Sequence, residues 1–227
     1  QAKDEYNATV EALFSISLTD QAESANGRNL PSFTNVATLY GLSSASGYGN
    51  LYGEMAWGDY DNNGHLDLYI TKDGSPNKLF HNLGTGLFSE VAAQVGLDHN
   101  GSGDCNWLDI DADGDLDLFQ VKSDSIWLFR NDSGSFVEVA ASLGLSSVGS
   151  YKASVWFDYD GDEDLDLFLS SKNSSNKLFQ QQANGTFAEV ASAAGVASGS
   201  NAMEVSVCDY DGDGCLDDSV EDNDDDN

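Results

Sequence analysis

The chain has 227 residues, and its 9 lysines and arginines against 39 aspartates and glutamates give a formal net charge of −30. Such a charge argues against binding to nucleic-acid phosphates or to an anionic membrane surface. No apolar run approaches the roughly 18 residues that a membrane span needs, which argues against membrane insertion. An apolar content of 40% with 11% aromatic residues excludes a wholly disordered acidic chain.

The first residues, 1–12, are interpreted as an N-terminal arm ahead of a folded region that extends over 13–218. The chain begins Gln1-Ala2-Lys3, as a secreted chain does after its signal peptide is removed, although a fragment would begin in the same way. Within the folded region, Leu13-Phe14 and 33–37 predict two strands, and Gly41-Leu42 closes this first segment.

Three units follow, and the same landmarks recur in each of them at spacings of 50 and 49 residues. Each unit has a tryptophan, an acidic nine-residue segment, an alternating apolar run, a Leu-Phe pair, a Phe-x-Glu-Val-Ala motif, and a closing Gly-Leu or Gly-Val. The tryptophans are Trp57, Trp107 and Trp156, and the alternating runs begin at Leu66, Leu116 and Leu165. Such alternation indicates a strand with one buried face, so each unit is predicted to contain four short strands.

The C-terminal part repeats only the first half of a unit. Residues 205–208 predict a strand that leads into a fourth acidic segment, but Asp218 stands where the other units have an apolar residue, so the next strand is weak. The N-terminal segment has the complementary half. The two halves predict the last blade of an all-β propeller of about four four-stranded blades, completed either within one chain or between neighbouring chains in a filament. Residues 219–227 form an acidic tail.

The negative charge is concentrated in four acidic segments, here called loops 1 to 4, at 59–67, 109–117, 158–166 and 209–217. They contain 18 of the 39 acidic residues and no lysine or arginine, so a cation is needed among them. Acidic side chains at positions 1, 3, 5 and 9, with glycine at position 6 and a backbone carbonyl at position 7, allow a chain to wrap Ca²⁺. Magnesium retains its waters and zinc prefers His and Cys, so calcium is favoured.

Together with the preceding tryptophan and the following Phe-x-Glu-Val-Ala, the pattern Asp-x-Asp-x-Asp-Gly-x-x-Asp-Leu resembles the FG-GAP/VCBS repeats. The resemblance implies a calcium-dependent β-propeller of extracellular proteins, such as the integrin α-subunit head. With one ion for each acidic loop, about four Ca²⁺ ions are expected. The ligands it implies, with position 7 contributing its carbonyl, are Asp59, Asp61, Asn63, His65 and Asp67; Asp109, Asp111, Asp113, Asp115 and Asp117; Asp158, Asp160, Asp162, Asp164 and Asp166; and Asp209, Asp211, Asp213, Cys215 and Asp217. Glu163 replaces the turn glycine, which predicts strain in loop 3.

The cysteines and the glycosylation sequons give further candidates. Cys208 and Cys215 flank the turn of loop 4 and could form a disulfide, the alternative being two free thiols. Cys105 is expected to be a small buried side chain in a strand. If the chain is secreted by a eukaryote, the Asn-x-Ser/Thr sequons are candidate glycosylation sites, four of them in predicted turns. Their asparagines are Asn7, Asn100, Asn131, Asn173 and Asn184.

No Ser-His-Asp spacing, phosphate-binding glycine loop or HExxH motif occurs, so no catalytic residue is assigned and no enzyme is expected. The favoured hypothesis is a secreted, calcium-binding structural or adhesive protein. Its partners would be other copies of the chain, in an oligomer or filament, or extracellular proteins and glycans. The alternative is a carbohydrate-binding propeller that uses the aromatic side chains of Tyr40, Tyr48, Tyr52 and Trp127.

Overall fold

The computed structural model describes residues 16–17, 32–33, 37–42, 53–122, 125–146, 149–172, 174–198 and 205–207. This part of the chain is all-β apart from a 3-10 helix at Ala37–Tyr40 and a one-turn helix, α1, at Ala92–Val95. The strands in chain order are β1 (Ile16–Ser17), β2 (Ser32–Phe33), β3 (Met55–Gly58), β4 (Asp67–Ile70), β5 (Lys72–Pro76), β6 (Lys78–Asn82), β7 (Phe88–Glu90), β8 (Asn100–Gly101), β9 (Asp104–Leu108), β10 (Asp117–Lys122), β11 (Ser125–Asp132), β12 (Ser135–Glu138), β13 (Tyr151–Phe157), β14 (Asp166–Ser171), β15 (Lys177–Gln181) and β16 (Phe187–Glu189).

Each of the three complete units forms one antiparallel sheet of four strands, as predicted. The strand orders are β3-β4-β6-β7 in sheet 1, β9-β10-β11-β12 in sheet 2 and β13-β14-β15-β16 in sheet 3. Two small pairs, β1 with β2 and β5 with β8, accompany these sheets. In each of sheets 1, 2 and 3 the acidic loop joins the first strand to the second, so loops 1, 2 and 3 occupy equivalent places.

The landmarks that recur in the sequence lie in one row across each sheet. In sheet 2, Trp107 is opposite Leu118, Leu118 is opposite Phe129, and Phe129 is opposite Glu138. Sheets 1 and 3 have the same register, with the rows Trp57, Leu68, Phe80, Glu90 and Trp156, Leu167, Phe179, Glu189. The residues of the repeated motifs are therefore the ones whose side chains meet across neighbouring strands.

The prediction that the second strand of each unit buries only one face is wrong for units 1 and 2. Tyr69 and Phe119, on the face that alternation assigns to solvent, are both 0% exposed. Their neighbours Leu68 and Leu118 are buried as well. In these two units the second strand is covered on both faces, so its sequence reads as a nearly continuous apolar run.

Trp107 shows how consecutive sheets pack. Its indole nitrogen donates a hydrogen bond to the Ala56 carbonyl at 3.3 Å, and its ring stacks on Tyr60 with 6.1 Å between centroids. A Cβ at Gly58 would lie 2.6 Å from the Trp107 ring, so only glycine allows this approach. In the next interface, Trp156 contacts Phe119 edge to face at 5.0 Å. The tryptophan of each of these units therefore packs on the preceding sheet.

The segments flanking the three sheets pack against the outer two. Gly41, with φ +81, lies against Phe88, whose carbonyl oxygen leaves no room for a Cβ at this position. Gly144 has a similar position against Phe187, which links unit 2 to unit 3. At the other end, Val207 packs against an apolar cluster of sheet 3. The two predicted half-units thus border opposite ends of the array of sheets.

Several sequence predictions fall on residues outside the described part. These are the arm 1–12, the strand at Leu13-Phe14, loop 4 with its five implied ligands, the pair Cys208 and Cys215, and the tail 219–227. The described N-terminal strands, β1 and β2, pair Ile16 with Phe33 and Ser17 with Ser32.

Candidate metal centres

Loops 1, 2 and 3 share one backbone conformation, because the carboxylate at position 1 binds the turn in each. In loop 2, Asp109 accepts hydrogen bonds from the backbone N–H of Asp113 at 3.1 Å and of Gly114 at 3.0 Å. Asp59 in loop 1 and Asp158 in loop 3 bind the N–H groups of positions 5 and 6 in the same way. The loop therefore curls around its own first carboxylate.

The carboxylate at position 9 is the buried anchor of each loop. Asp67, Asp117 and Asp166 are all 0% exposed. In loop 2, one oxygen of Asp117 accepts from the Ile110 N–H at 2.9 Å and the other from the Asn131 N–H at 2.7 Å. These bonds join the start of the loop to the third strand of the same sheet, and they recur in loops 1 and 3.

The backbone turns through the left-handed region at positions 4 and 6. These positions hold Asn62 and Gly64 in loop 1, Ala112 and Gly114 in loop 2, and Gly161 and Glu163 in loop 3. Glu163 has φ +71, a conformation that side chains with a Cβ adopt at a cost of roughly 1–2 kcal/mol. The prediction of strain at Glu163 is therefore confirmed.

In loops 2 and 3 the carboxylates of positions 1, 3 and 9 converge. Each of these side chains offers an oxygen, and the three oxygens of one loop lie within 4.8 Å of one another. The converging residues are Asp109, Asp111 and Asp117 in loop 2 and Asp158, Asp160 and Asp166 in loop 3. Oδ1 of Asp160 is buried and has no hydrogen-bond partner among the described residues. An all-oxygen, strongly anionic donor set with an unpaired buried oxygen fits Ca²⁺.

The electrostatics of the metal-free loops follow from burial and crowding. Burial raises the pKa of Asp67, Asp117 and Asp166 to about 6. The pKa of Asp111 and that of Asp160 are also raised, first by burial and then by neighbouring carboxylates. Each of these ionised groups is therefore costly without a bound cation.

The side chains of position 5 make a different contact from the one implied by the family. Asn63, Asp113 and Asp162 each accept a hydrogen bond from the backbone N–H of position 7, at 2.8 to 3.1 Å. Their remaining lone pairs can still face an ion. The backbone carbonyls of His65, Asp115 and Asp164 stay predicted ligands.

Loop 1 differs from loops 2 and 3 in its converging groups. They are Asp61, Asp67 and His81, which replaces a loop carboxylate. His81 lies on β6, outside the loop, and sequence reasoning missed it. The signal was its place directly after the Leu-Phe pair, where unit 2 has Arg130 and unit 3 has Gln180.

The candidate sites unrelated to metal have mixed outcomes. Cys105 is a free cysteine in β9 and is 5% exposed, as predicted, and burial raises the pKa of its thiol. Asn184 is exposed in a turn, as predicted, whereas Asn100 is exposed but lies in β8, so its predicted turn is wrong. Both remain candidate glycan acceptors, and Asn7 and Asn173 lie outside the described residues.

Asn131 is not suited to glycosylation, and its placement in a turn is wrong. It lies within β11 and is 0% exposed. Its side-chain amide donates to the carbonyl of Tyr60 at 2.8 Å and to that of Leu116 at 3.0 Å. A glycan would have to replace an amide hydrogen that the fold uses. Asn131 instead connects sheet 2 to loop 1 of the preceding unit.

The comparisons with known proteins agree with this repeated geometry. A family model described as an FG-GAP-like repeat matches residues 59–120, 109–169 and 158–217. Each match begins at position 1 of one loop and includes the whole of the next, and together they span more than half of the chain. No curated protein matches the chain. Among the described residues, no helix has the length and apolar character needed to cross a membrane. The chain belongs to the FG-GAP-like repeat family.

Proposed function

We propose that this protein is a non-enzymatic, extracellular structural or adhesive module whose sheets are stabilised by Ca²⁺ bound in the acidic loops. The observation that supports this most directly is the convergence of three carboxylate oxygens within 4.8 Å in loop 2 and again in loop 3. FG-GAP repeats often bind Ca²⁺ and typically occur in extracellular domains. Loop 4 has the same acidic pattern, which brings the proposed number of metal ions to about four.

The ions would act on folding. Position 9 connects each loop to the third strand of its own sheet, and position 1 holds the turn. A cation between them offsets the repulsion of ionised aspartates and fixes the loop against the sheet. Loops in extracellular modules bind Ca²⁺ with Kd on the order of 10⁻⁴–10⁻³ M, which suits extracellular calcium concentrations.

The proposed architecture is a propeller with a fourth blade shared by the two ends of the chain. Its support is the packing of the two half-units, at Gly41 on sheet 1 and at Val207 on sheet 3. Sheet 1 also presents Met55, 62% exposed, and Trp57, 37% exposed. The equivalent Trp107 and Trp156 pack on a preceding sheet, so we propose that this face of sheet 1 receives the shared blade.

Such a blade could be completed by the same chain or by a neighbouring copy, and only the second arrangement produces oligomers or filaments. Association with other extracellular proteins or glycans is the remaining proposal for partners. Carbohydrate binding is less favoured, because Tyr40 is half-buried in a cluster of sheet 1 and Trp127 packs on His99 at 5.0 Å. Tyr48 and Tyr52 lie outside the described residues.

Metal removal tests the proposed function. We expect excess EDTA to lower the melting temperature by more than roughly 15 °C relative to 10 mM CaCl₂, measured by circular dichroism. For the Kd range above, 10 mM Ca²⁺ is about 10 to 100 times Kd and contributes about 1.4 to 2.7 kcal/mol per site. Summed over about four sites, and with roughly 2–4 °C of melting temperature per kcal/mol at this chain length, a shift of this size is expected. Readdition of Ca²⁺ should restore the transition. An unchanged melting curve in EDTA would contradict the proposal.

A further inference from the structure

We propose that loop 1 is a Zn²⁺ site rather than a third equivalent Ca²⁺ site, with His81 Nδ1 and the carboxylates of Asp61 and Asp67 as its protein ligands. The inference deepens the proposed function, since it rests on the acidic loops being metal sites. It assigns a different ion to one of them. It also revises, for this loop alone, the prediction of calcium from the acidic pattern.

The distances in this cluster match a compact metal site. His81 Nδ1 lies 3.3 Å from Oδ2 of Asp61 and 3.4 Å from Oδ1 of Asp67. Zinc bonds of about 2.0–2.1 Å place neighbouring ligands of a tetrahedron about 3.3–3.4 Å apart. Both distances from His81 Nδ1 match this value, and the two carboxylate oxygens lie within 4.8 Å of each other. One ion could therefore contact all three atoms, and a fourth position would remain for water.

Burial directs the imidazole nitrogen into the cluster. The His81 side chain is 21% exposed, but its Nδ1 atom is buried and has no hydrogen-bond partner among the described residues. Asp67 beside it is 0% exposed. The His81 ring contacts Tyr60 edge to face at 5.9 Å, which fixes its orientation. A buried imidazole nitrogen that makes no hydrogen bond and lies beside two carboxylates can offer its lone pair to a metal ion.

The donor types favour zinc over calcium in loop 1. Zn²⁺ accepts mixed nitrogen and carboxylate ligands in four-coordinate sites, whereas Ca²⁺ needs six to eight oxygens. Loop 1 also contains only three acidic residues, against five in loop 2 and six in loop 3, because Asn63 and His65 occupy positions that are acidic elsewhere. It therefore attracts a hard cation less strongly.

The other two units have no such nitrogen ligand at the position equivalent to His81. In unit 3, the amide of Gln180 donates a hydrogen bond to the carboxylate of Asp160. In unit 2, Nη2 of Arg130 forms an ion pair with Asp132 at 3.2 Å, and a guanidinium has no lone pair to give to a metal. The side chains of His81 and Gln180 both face the acidic loop of their own unit. The residue at this strand position therefore determines which metal ion the loop prefers.

The test measures Zn²⁺ and Ca²⁺ binding separately on the full chain. Metal-free protein is first saturated with Ca²⁺ and then titrated with Zn²⁺ by calorimetry. We expect one Zn²⁺ to bind, and ¹H–¹⁵N NMR of the histidine side chains should show its signature on His81. His81→Gln, which installs the residue of unit 3, should weaken Zn²⁺ binding by at least roughly 100-fold. Gln180→His should create a second Zn²⁺ site in loop 3.

The outcomes separate this inference from the proposed function. If Ca²⁺ still raises the melting temperature of His81→Gln, the variant folds and its loops 2 and 3 still bind Ca²⁺. Equal Zn²⁺ affinity in the wild type and His81→Gln would overturn the inference, and so would the absence of any Zn²⁺ binding while Ca²⁺ stabilises the chain. If Ca²⁺ did not raise the melting temperature of the wild type, that result would count against the proposed function.

Discussion

Loops 2 and 3 adopt the same conformation although their left-handed positions are occupied in opposite ways. Loop 2 has Ala112 at position 4 and Gly114 at position 6, whereas loop 3 has Gly161 at position 4 and Glu163 at position 6. The four φ angles are +57 and +93 in loop 2 and +76 and +71 in loop 3. The conformation is therefore retained whichever of the two positions has the glycine.

The difference teaches that glycine does not define this loop. What the two loops share is the set of hydrogen bonds to the carboxylates at positions 1 and 9, together with the convergence of three oxygens. The carboxylates hold the turn, and one residue with a Cβ in each loop is held in a less favourable conformation. Predictions that change the carboxylates should therefore have larger effects than those that change the turn residues.

The largest expected effect is a pH dependence of the metal-free chain. The carboxyls at position 9 have pKa values of about 6 when folded, against 3.8 as the reference for the unfolded chain. The folded state therefore binds more protons than the unfolded state between these two pH values. The stability that these protonated carboxyls contribute is fully present below about pH 4 and is lost as the pH rises through 6. Each carboxyl contributes at most about 3 kcal/mol to this loss. Urea denaturation of chelator-treated protein at a series of pH values measures it.

Two variants sharpen this first prediction. Asp117→Asn and Asp166→Asn should each flatten the pH profile by a similar amount, because both carboxylates are 0% exposed. Asp132→Asn, which changes a side chain that is 55% exposed and outside the loops, serves as the control. Saturating Ca²⁺ should reduce the loss between pH 4 and 7. Stability of the metal-free chain that rises over this interval would disprove the proposed cost of ionisation.

The second prediction concerns the links from each loop to the next sheet. The Asn131 amide donates to Tyr60 at 2.8 Å and its oxygen accepts from the Gly134 N–H at 2.7 Å. The equivalent side chain, Gln181, donates a longer and weaker hydrogen bond, of 3.5 Å, to the Ile110 carbonyl. The side-chain oxygen of Gln181 has no hydrogen-bond partner among the described residues. We expect Asn131→Ala to lower the free energy of unfolding by about 2–3 kcal/mol and Gln181→Ala by about 1 kcal/mol.

A matched control separates the buried amide from the sequon. Ser133→Ala removes the Asn-x-Ser sequon but leaves the Asn131 side chain intact, and its own hydroxyl is in an exposed contact with Asp115. This variant should change the unfolding free energy by less than about 0.5 kcal/mol. Its intact mass from a eukaryotic secretion host should equal that of the wild type apart from the substitution. Equal losses in Asn131→Ala and Gln181→Ala would remove the distinction between the two links.

Much of the fold was predictable from local patterns. The recurrence of tryptophan, Leu-Phe and Phe-x-Glu gave four strands per unit, because side chains that meet across strands recur with the repeat. The acidic spacing predicted where the loops lie, and the carboxylates that it named at positions 1, 3 and 9 converge in loops 2 and 3. These features depend on residues close together in the chain.

The errors have a common physical cause in contacts between distant segments. Alternation identified one apolar face of β4 but could not show that a neighbouring sheet covers Tyr69 on the other. The Asn131 sequon is indistinguishable from an exposed one until the sheet brings it to Tyr60, 71 residues earlier. His81 belongs to no local metal motif, because it reaches loop 1 from a different strand.

The smallest expected effect tests the turn residues directly. Glu163→Gly should raise the free energy of unfolding by about 1 kcal/mol, because glycine adopts positive φ without the Cβ penalty, partly offset by the entropy of the unfolded chain. Nothing lies within 4 Å of the Cβ positions of the equivalent Gly64 and Gly114, so backbone conformation rather than space is tested. Urea denaturation in saturating Ca²⁺ measures the change.

Three further variants distinguish conformation from charge at this position. Glu163→Ala removes the carboxylate but retains the Cβ, so it should gain clearly less than Glu163→Gly. Ala112→Gly should stabilise loop 2 for the same conformational reason, and Gly114→Ala should destabilise it by about 1 kcal/mol. If Glu163→Ala and Glu163→Gly gained equally, repulsion within the acidic loop would account for the effect. The left-handed strain would then have no measurable share in the difference between loops 2 and 3.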